Sequence, residues 1–284
     1  MNNNEQFVHF MQNAIAEDIN TGDHSALSTI PENSKVEAII LSKDEGLIAG
    51  VERAIQIFKY YDPSIAIEAH VKDGKNVKYG DKILSIKGNA RSILGMERIA
   101  LNVMQRMSGI ATFTAFLNSK IKNGHTKILD TRKTTPGIRF LEKEAVKIGG
   151  GVNHRMGLYD MIMIKDNHID FSGGIEIAIQ KANNYIKAKK LDIKIEIEVR
   201  NFDELDRVLK MGQVHRIMLD NFSVEDLKKA VTLIGKRFET EASGGINENT
   251  IAEYASSGVD YISVGALTHT VKNFDISLIA KPHE

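Results

Sequence analysis

The sequence predicts an α/β protein, with an N-terminal α+β domain followed by an incomplete, roughly six-stranded α/β barrel. Three observations carry this. After residue 125, short β-rich runs alternate with amphipathic helical runs, the pattern of a parallel sheet with right-handed crossovers. About six such units share roughly 150 residues, too few for a closed eight-fold barrel of about 250. Before residue 107, by contrast, β runs are joined by turns such as KDGKNVKYGDK, which fit antiparallel connections.

The elements follow in order. Phe7, Phe10, Met11, Ala14 and Ile15 recur at helical spacing, a face that must pack on something. A turn-rich stretch, NTGDHS, comes next. The runs KVEAIIL, SIAIEAHV and KILSIKG predict strands, with VERAIQIFKYY as a helix between the first two. A long helical stretch, ARSILGMERIALNVMQRMSGIATFTAFL, leads onward, and Ser108-Gly109 predicts a break in it. Residues 1–107 are thus expected to form the first domain and residues 108–272 the barrel. The tail 273–284, with its apolar NFDISLIA, is expected to return to the first domain. The barrel strands are TKILD, MIMIK, IKIEIEV, RIMLD, FETEAS and DYISVG.

Composition narrows the chemistry. With 42% hydrophobic residues the 284-residue chain can bury a core, and 37 basic residues balance 37 acidic ones. A general nucleic-acid or membrane surface is not suggested, so any positive site must be local. The absence of cysteine excludes disulfides, thiolate metal sites and Cys nucleophiles. Neither a signal peptide nor an apolar stretch of about 18 residues is evident, and a cytoplasmic globular protein is expected.

The residues that close the β runs form a series: Asp130 with Thr131, Arg132 and Lys133, then Lys165, Glu198, Asp220, Ser243-Gly244-Gly245 and Gly265. Each ends a different predicted strand, on the rim where α/β barrels build active sites. In KIEIEV, a period of two sets Ile195, Ile197 and Val199 against Lys194, Glu196 and Glu198. Lys194 and Glu196 are expected to satisfy each other inside the barrel, leaving Glu198 free to meet a ligand at the rim. ASGGIN and VGALTH, after the last two strands, predict phosphate binding by backbone N–H groups, with Asn247 as a helix N-cap. No GxxxxGK[ST] or GxGxxG motif occurs. His168 reads as a capping residue, and no zinc-ligand spacing is present. Arg132, Lys133 and Arg155 converging on one rim imply a polyanionic ligand, because guanidinium forks match carboxylates and phosphates. The TRKTTPG loop is one wall of that pocket, shaped by Pro136.

ERIALNVMQRMSGIAT, ILDTRKTTPGIR, GGGVNHRMGLYDMIMIKDNHI, LDN, EASGGI and DYISVGALTH together closely resemble the quinolinate phosphoribosyltransferase family, from about residue 17 to the end. The resemblance implies an N-terminal α/β sandwich, an incomplete barrel, and transfer from phosphoribosyl pyrophosphate to quinolinate with Mg²⁺. The products are nicotinate mononucleotide, pyrophosphate and CO₂, in de novo NAD synthesis. It implies that Thr131, Arg132, His154, Arg155 and Lys165 surround the quinolinate carboxylates, with Arg98 arriving from the partner of a homodimer or larger oligomer. Lys133 would meet phosphoribosyl pyrophosphate. Glu198 and Asp220 would hold the ribose hydroxyls and the Mg²⁺ region, with Glu196 the alternative to Glu198. Ser243, Gly244, Gly245, Val264, Gly265 and Ala266 would bind the 5′-phosphate, with His269 close by.

Three other readings are open. A paralogous phosphoribosyltransferase-like protein linked to molybdenum transport shares the TRKT and HR elements, but the intact IKDNHI argues for the quinolinate enzyme. A Schiff-base lyase could use Lys165 at its strand end. A non-catalytic phosphate-binding protein has no use for Glu198 and Asp220 beside the cations.

Overall fold

The computed structural model describes residues 3–122 and 124–281, so the last three residues of the predicted tail lie outside the described residues. In chain order the elements are α1 (Asn3–Asp18), α2 (His24–Thr29), β1 (Lys35–Ser42), β2 (Gly46–Leu47), α3 (Val51–Tyr61), β3 (Ala66–Ala69), β4 (Asn76–Val77), β5 (Lys82–Asn89) and α4 (Ala90–Lys120). They continue with β6 (Lys127–Leu129), α5 (Arg139–Ile148), β7 (Met161–Ile164), α6 (Asp166–Ser172), α7 (Ile175–Lys189), β8 (Lys194–Val199) and α8 (Phe202–Met211). The chain closes with β9 (Arg216–Asp220), α9 (Val224–Ile234), β10 (Glu239–Ser243), α10 (Ile251–Ala255), β11 (Tyr261–Ser263), α11 (Ala266–His269) and β12 (Ile276–Ala280). Two compact units result. The first comprises Met1–Ala115, Thr134–Gly150 and Leu267–Glu284, and the second Phe116–Lys133 and Gly151–Ala266.

The first unit is built on an antiparallel sheet of order β12-β1-β5-β3, so the apolar tail pairs directly with β1, Ala280 opposite Ala38. Helix α3 buries Val51, Ala54, Ile57 and Phe58. On α1, Phe7 and Met11 are buried, and Phe7 meets Tyr60 edge-on at 6.3 Å. The NTGDHS stretch holds more order than its turn residues suggest. Asp23 accepts the N–H of Ala26 at 3.0 Å and so caps the short helix α2.

The expected break at Ser108-Gly109 is absent, because α4 runs unbroken from Ala90 to Lys120. The two small residues serve close packing instead. Ser108 Oγ accepts the N–H of Ala49 at 2.9 Å. A Cβ on Gly109 would lie 2.2 Å from the carbonyl oxygen of Lys272. Glycine is therefore required by the neighbouring backbone and not by a turn.

The second unit carries a six-stranded parallel sheet of order β6-β11-β10-β9-β8-β7, with β6 and β7 as its two edges. The expected number of barrel strands is met. Near the β6 edge, Val152 adds a single parallel bridge to Leu129. Register determines what each face carries. Glu196 lies opposite Arg216, which lies opposite Glu239, and Ser243 lies opposite Asp220. Period two then places Glu196 and Glu198, Arg216 and Asp220, and Glu239, Glu241 and Ser243 on one face. The other face is apolar at Ile195, Ile197, Ile217, Leu219 and Ala242, all buried. Helices α8 and α9 are N-capped by Asn201 and Ser223. Asn247 does not cap the helix predicted after it. Its Oδ1 accepts the N–H of Asn249 in a turn, and α10 begins later, with Thr250 at the N-cap. Among the described residues no helix is long and apolar enough to cross a membrane.

Candidate active site

The rim of the parallel sheet gathers the predicted residues of the second unit. Thr131 follows β6, Lys165 follows β7, Glu198 is the last but one residue of β8, Asp220 ends β9, Ser243 ends β10, and Val264-Gly265 follow β11. Two loops at the β6 edge are tied together beneath this rim. The buried Asp130 accepts the N–H of His154 at 2.8 Å and an Asn153 Nδ2–H at 2.5 Å. Thr131 Oγ1 accepts the N–H of Lys133 at 3.0 Å, which shapes the loop bearing Arg132. Burial, and then the neighbouring Arg132 guanidinium, hold the Arg155 pKa below the usual guanidinium range. Arg155 also lines a 620 Å³ cleft with Met161, Met163, His168 and Tyr185.

Below the rim the sheet face is ionic, and here one expectation is corrected. Lys194 does not pair with Glu196. It reaches Glu239 at 3.0 Å, while Glu196 lies 2.9 Å from His154 Nε2. Arg216 sits between the strands, 3.0 Å from Glu239 and 3.1 Å from Glu241, with its guanidinium 4.2 Å from the Tyr261 ring centre. Long side chains on a sheet face reach two strands away, so the pairs span β8 to β10 instead of sharing one strand.

His154 is turned into this cluster. Its side chain is 4% exposed, its Nε2 lies 3.4 Å from Glu241, and its Nδ1 accepts the N–H of Arg155 at 2.6 Å. The ring therefore orients the backbone of Arg155. Burial disfavours its charge, but the Glu196 and Glu241 carboxylates outweigh burial and raise its pKa to about 9. The Arg155 N–H at Nδ1 works against that second proton. Glu196, desolvated beside Glu241, is itself raised to about 7. Both directions mean that the cluster retains a proton the unfolded chain has released. Ligating atoms of His154, Glu196 and Glu241 lie within 4.8 Å of one another, yet Arg216 already supplies a cation there.

At the rim itself, Lys165 Nζ lies 3.0 Å from Glu198 Oε2. Of the two glutamates, Glu196 has no exposed surface, whereas Glu198 keeps 8% at the strand end. His168 acts as expected of a capping residue, accepting the N–H of Lys165 at 3.0 Å. Gly244 and Gly245 have φ of +104° and +63°, and a Cβ on Gly244 would lie 2.1 Å from Asn221 Oδ1. Asn221 donates to Asp220 Oδ2 at 2.7 Å and, through its N–H, to the Ser243 carbonyl at 2.8 Å. Asn221 holds a left-handed φ of +56°, which is not legible in sequence. Glu241 and Arg216 were also missed, although period two applied to ETEAS and RIMLD would have placed them beside Glu196.

Arg98 and His269 belong to the first unit, where Arg98 is exposed on α4 and His269 is exposed beside Thr270.

Comparison with known proteins bears on these features. Residues 23–108 match the model of the quinolinate phosphoribosyl transferase N-terminal domain, and residues 110–279 that of its C-terminal domain. The chain belongs to the quinolinate phosphoribosyltransferase family. It is 48% identical over 280 residues to the chloroplastic nicotinate-nucleotide pyrophosphorylase (carboxylating) of Arabidopsis thaliana, covering 93% of this chain and 80% of that protein. It is 41% identical to the probable nicotinate-nucleotide pyrophosphorylase (carboxylating) of Bacillus subtilis, covering 97% and 94%. The solved structure of the nicotinate-nucleotide pyrophosphorylase from Francisella tularensis superposes with a TM-score of 0.91 at 39% identity, covering 99% of this chain and 98% of that one.

Proposed function

We propose that this chain transfers the phosphoribosyl group of phosphoribosyl pyrophosphate to quinolinate, with loss of CO₂, giving nicotinate mononucleotide for NAD synthesis. The observation that carries the reading is the cationic rim. Arg132 lies near enough to Arg155 for its guanidinium, after burial, to disfavour the Arg155 charge, and Lys165 directly follows β7, the strand after Arg155. A dicarboxylate relieves that repulsion.

Each residue then has a task. Arg132, Arg155 and Lys165 hold the two carboxylates, Thr131 shapes the Lys133 loop, and His154 orients Arg155 from below. The backbone of Ser243 to Gly245 and of Val264 to Ala266 takes the 5′-phosphate, and Lys133 offsets charge on the departing pyrophosphate. Glu198 faces the ribose, where it stabilises the oxocarbenium-like centre as the pyridine nitrogen attacks. Most of the catalysis is positioning and electrostatics, with no protein nucleophile. The carboxylates of Glu198 and Asp220, hard oxygen donors on one sheet face, fit Mg²⁺ held jointly by substrate phosphates. When bound, Mg²⁺ would offset phosphate charge. Lys165 pairs with Glu198 and is not held in the apolar surroundings that activate a Schiff-base lysine, which disfavours the lyase reading.

We further infer a homodimer in which Arg98 completes the partner's site, and a cytoplasmic location. The test of function is an assay with quinolinate, phosphoribosyl pyrophosphate and Mg²⁺, each omitted in turn. Nicotinate mononucleotide and CO₂ should form in equal amounts only when all three are present. Absence of product with the full set overturns the reading.

A further inference from the structure

Arg106 and Glu142, both in the first unit, make one connected set of contacts. Glu142 lies in the first turn of α5 and its side chain has no exposed surface. Its Oε2 accepts the N–H of Thr135 at 3.0 Å, and its Oε1 accepts Thr135 Oγ1–H at 2.9 Å. The same Oε1 accepts Arg106 Nε–H at 2.9 Å, and Arg106 Nη2 donates to the carbonyl of Thr268. Helix α4 grips the segment after Thr268 again one residue away. The Gln105 carbonyl accepts the N–H of Phe274 at 3.0 Å, and Gln105 Nε2 donates to the Ile276 carbonyl at 2.9 Å.

A buried ion pair is a poor choice for stability alone, since apolar side chains of similar volume often do as well. What it adds is direction. Thr135 lies two residues after Lys133, and Thr268 lies three residues after Gly265. One guanidinium therefore connects the chain leaving the Lys133 loop to the chain leaving the last glycine loop. The Nε and Nη2 of one planar guanidinium make this possible, with Nη2 also 2.9 Å from Glu142 Oε1, and a lysine ammonium could not reproduce that arrangement.

We propose that Arg106 and Glu142 are positioning residues for phosphoribosyl pyrophosphate, fixing the spacing between the loop that meets its pyrophosphate and the loop that meets its 5′-phosphate. The inference rests on the assignment of Lys133 and the glycine loops to those phosphates.

The test uses the full-length enzyme with Arg106→Lys and Glu142→Gln, varying each substrate in turn and recording thermal unfolding. The KM for phosphoribosyl pyrophosphate should rise about ten-fold or more, while that for quinolinate changes less than about three-fold. The double variant Arg106→Gln/Glu142→Gln, which can re-form hydrogen bonds without charge, should recover part of the loss. If Glu142→Gln fails to fold, Arg106→Lys decides, because it keeps the charge and loses only the fork. A lower Tm with both KM values unchanged, or an equal rise in both, overturns the proposal. A Lys133→Gln control separates the premise. An unchanged phosphoribosyl pyrophosphate KM in that control overturns the phosphate assignment, whereas a raised one with a silent Arg106→Lys overturns the positioning role alone.

Discussion

Lys165 Nζ and Glu198 Oε2 lie 3.0 Å apart across the neighbouring strands β7 and β8. The pair joins the proposed carboxylate-binding wall to the proposed ribose-facing floor. Glu198→Gln keeps the shape, removes the charge near the oxocarbenium-like centre, and releases Lys165 for the substrate. The kcat should fall by about 10²-fold or more, and any rise in the quinolinate KM should be smaller. Steady-state kinetics of the variant check this, and a dominant KM effect would place Glu198 in ground-state binding.

The buried His154–Glu196–Glu241 cluster sets a pH dependence of stability. The His154 pKa is raised to about 9, so its contribution is complete below its ordinary value of 6.5 and is lost as pH rises through about 9. Glu196 is raised to about 7, so its protonated form favours the fold most below 4.5 and that advantage is lost as pH rises through about 7. Both act in one direction, and the protons belong to the cluster as a whole. The Tm of the wild type should therefore decline between about pH 6.5 and 9, and that of Glu196→Gln should decline less. Thermal scans across this range check both.

Gly244 is predicted to be intolerant of any side chain. An alanine would bring Cβ to within 2.1 Å of Asn221 Oδ1 at a φ of +104°. Strain of roughly 1–3 kcal/mol is expected. The KM for phosphoribosyl pyrophosphate should rise while quinolinate binding is retained, as titration calorimetry with quinolinate alone would show.

Arg98 tests the proposed sharing of sites between subunits. It is exposed on α4, in the unit that does not hold the rim. Arg98→Ala and Glu198→Gln homodimers should each be nearly inactive. After subunit exchange, heterodimers carry one doubly defective site and one intact site, so up to about a quarter of wild-type activity should return. A mixture that exchanges subunits and stays inactive would mean that Arg98 acts within its own chain or has no part in the reaction.

Much of this architecture is legible in the sequence because parallel strands announce themselves. MIMIK and RIMLD each end in a polar residue, KIEIEV carries Glu198 one residue before its end, and these residues lie on the rim. The apolar run of the tail suggests a return to the first domain, but its antiparallel pairing with β1 is not legible there. What was lost is tertiary. Gly109 signals a break when read locally, but it answers to the carbonyl of Lys272, far away in sequence. The partner of Lys194 is two strands distant, which no single-strand pattern can indicate. His154 looks like a ligand beside Arg155, and only the register of β8 and β10 shows two carboxylates drawing it inward. The β2–β4 ladder of two residues per strand is too short to leave a period at all.

The central claim is that the cations of the rim are arranged for two carboxylates, and the ratio of kcat/KM for quinolinate over nicotinate tests it most directly. Nicotinate lacks the 2-carboxylate and would leave desolvated cations unpaired, a loss of roughly 3–5 kcal/mol, or about 10²–10³-fold or more. The account predicts a ratio of at least that size under identical phosphoribosyl pyrophosphate and Mg²⁺ concentrations. Comparable kcat/KM values for the two acids would contradict it.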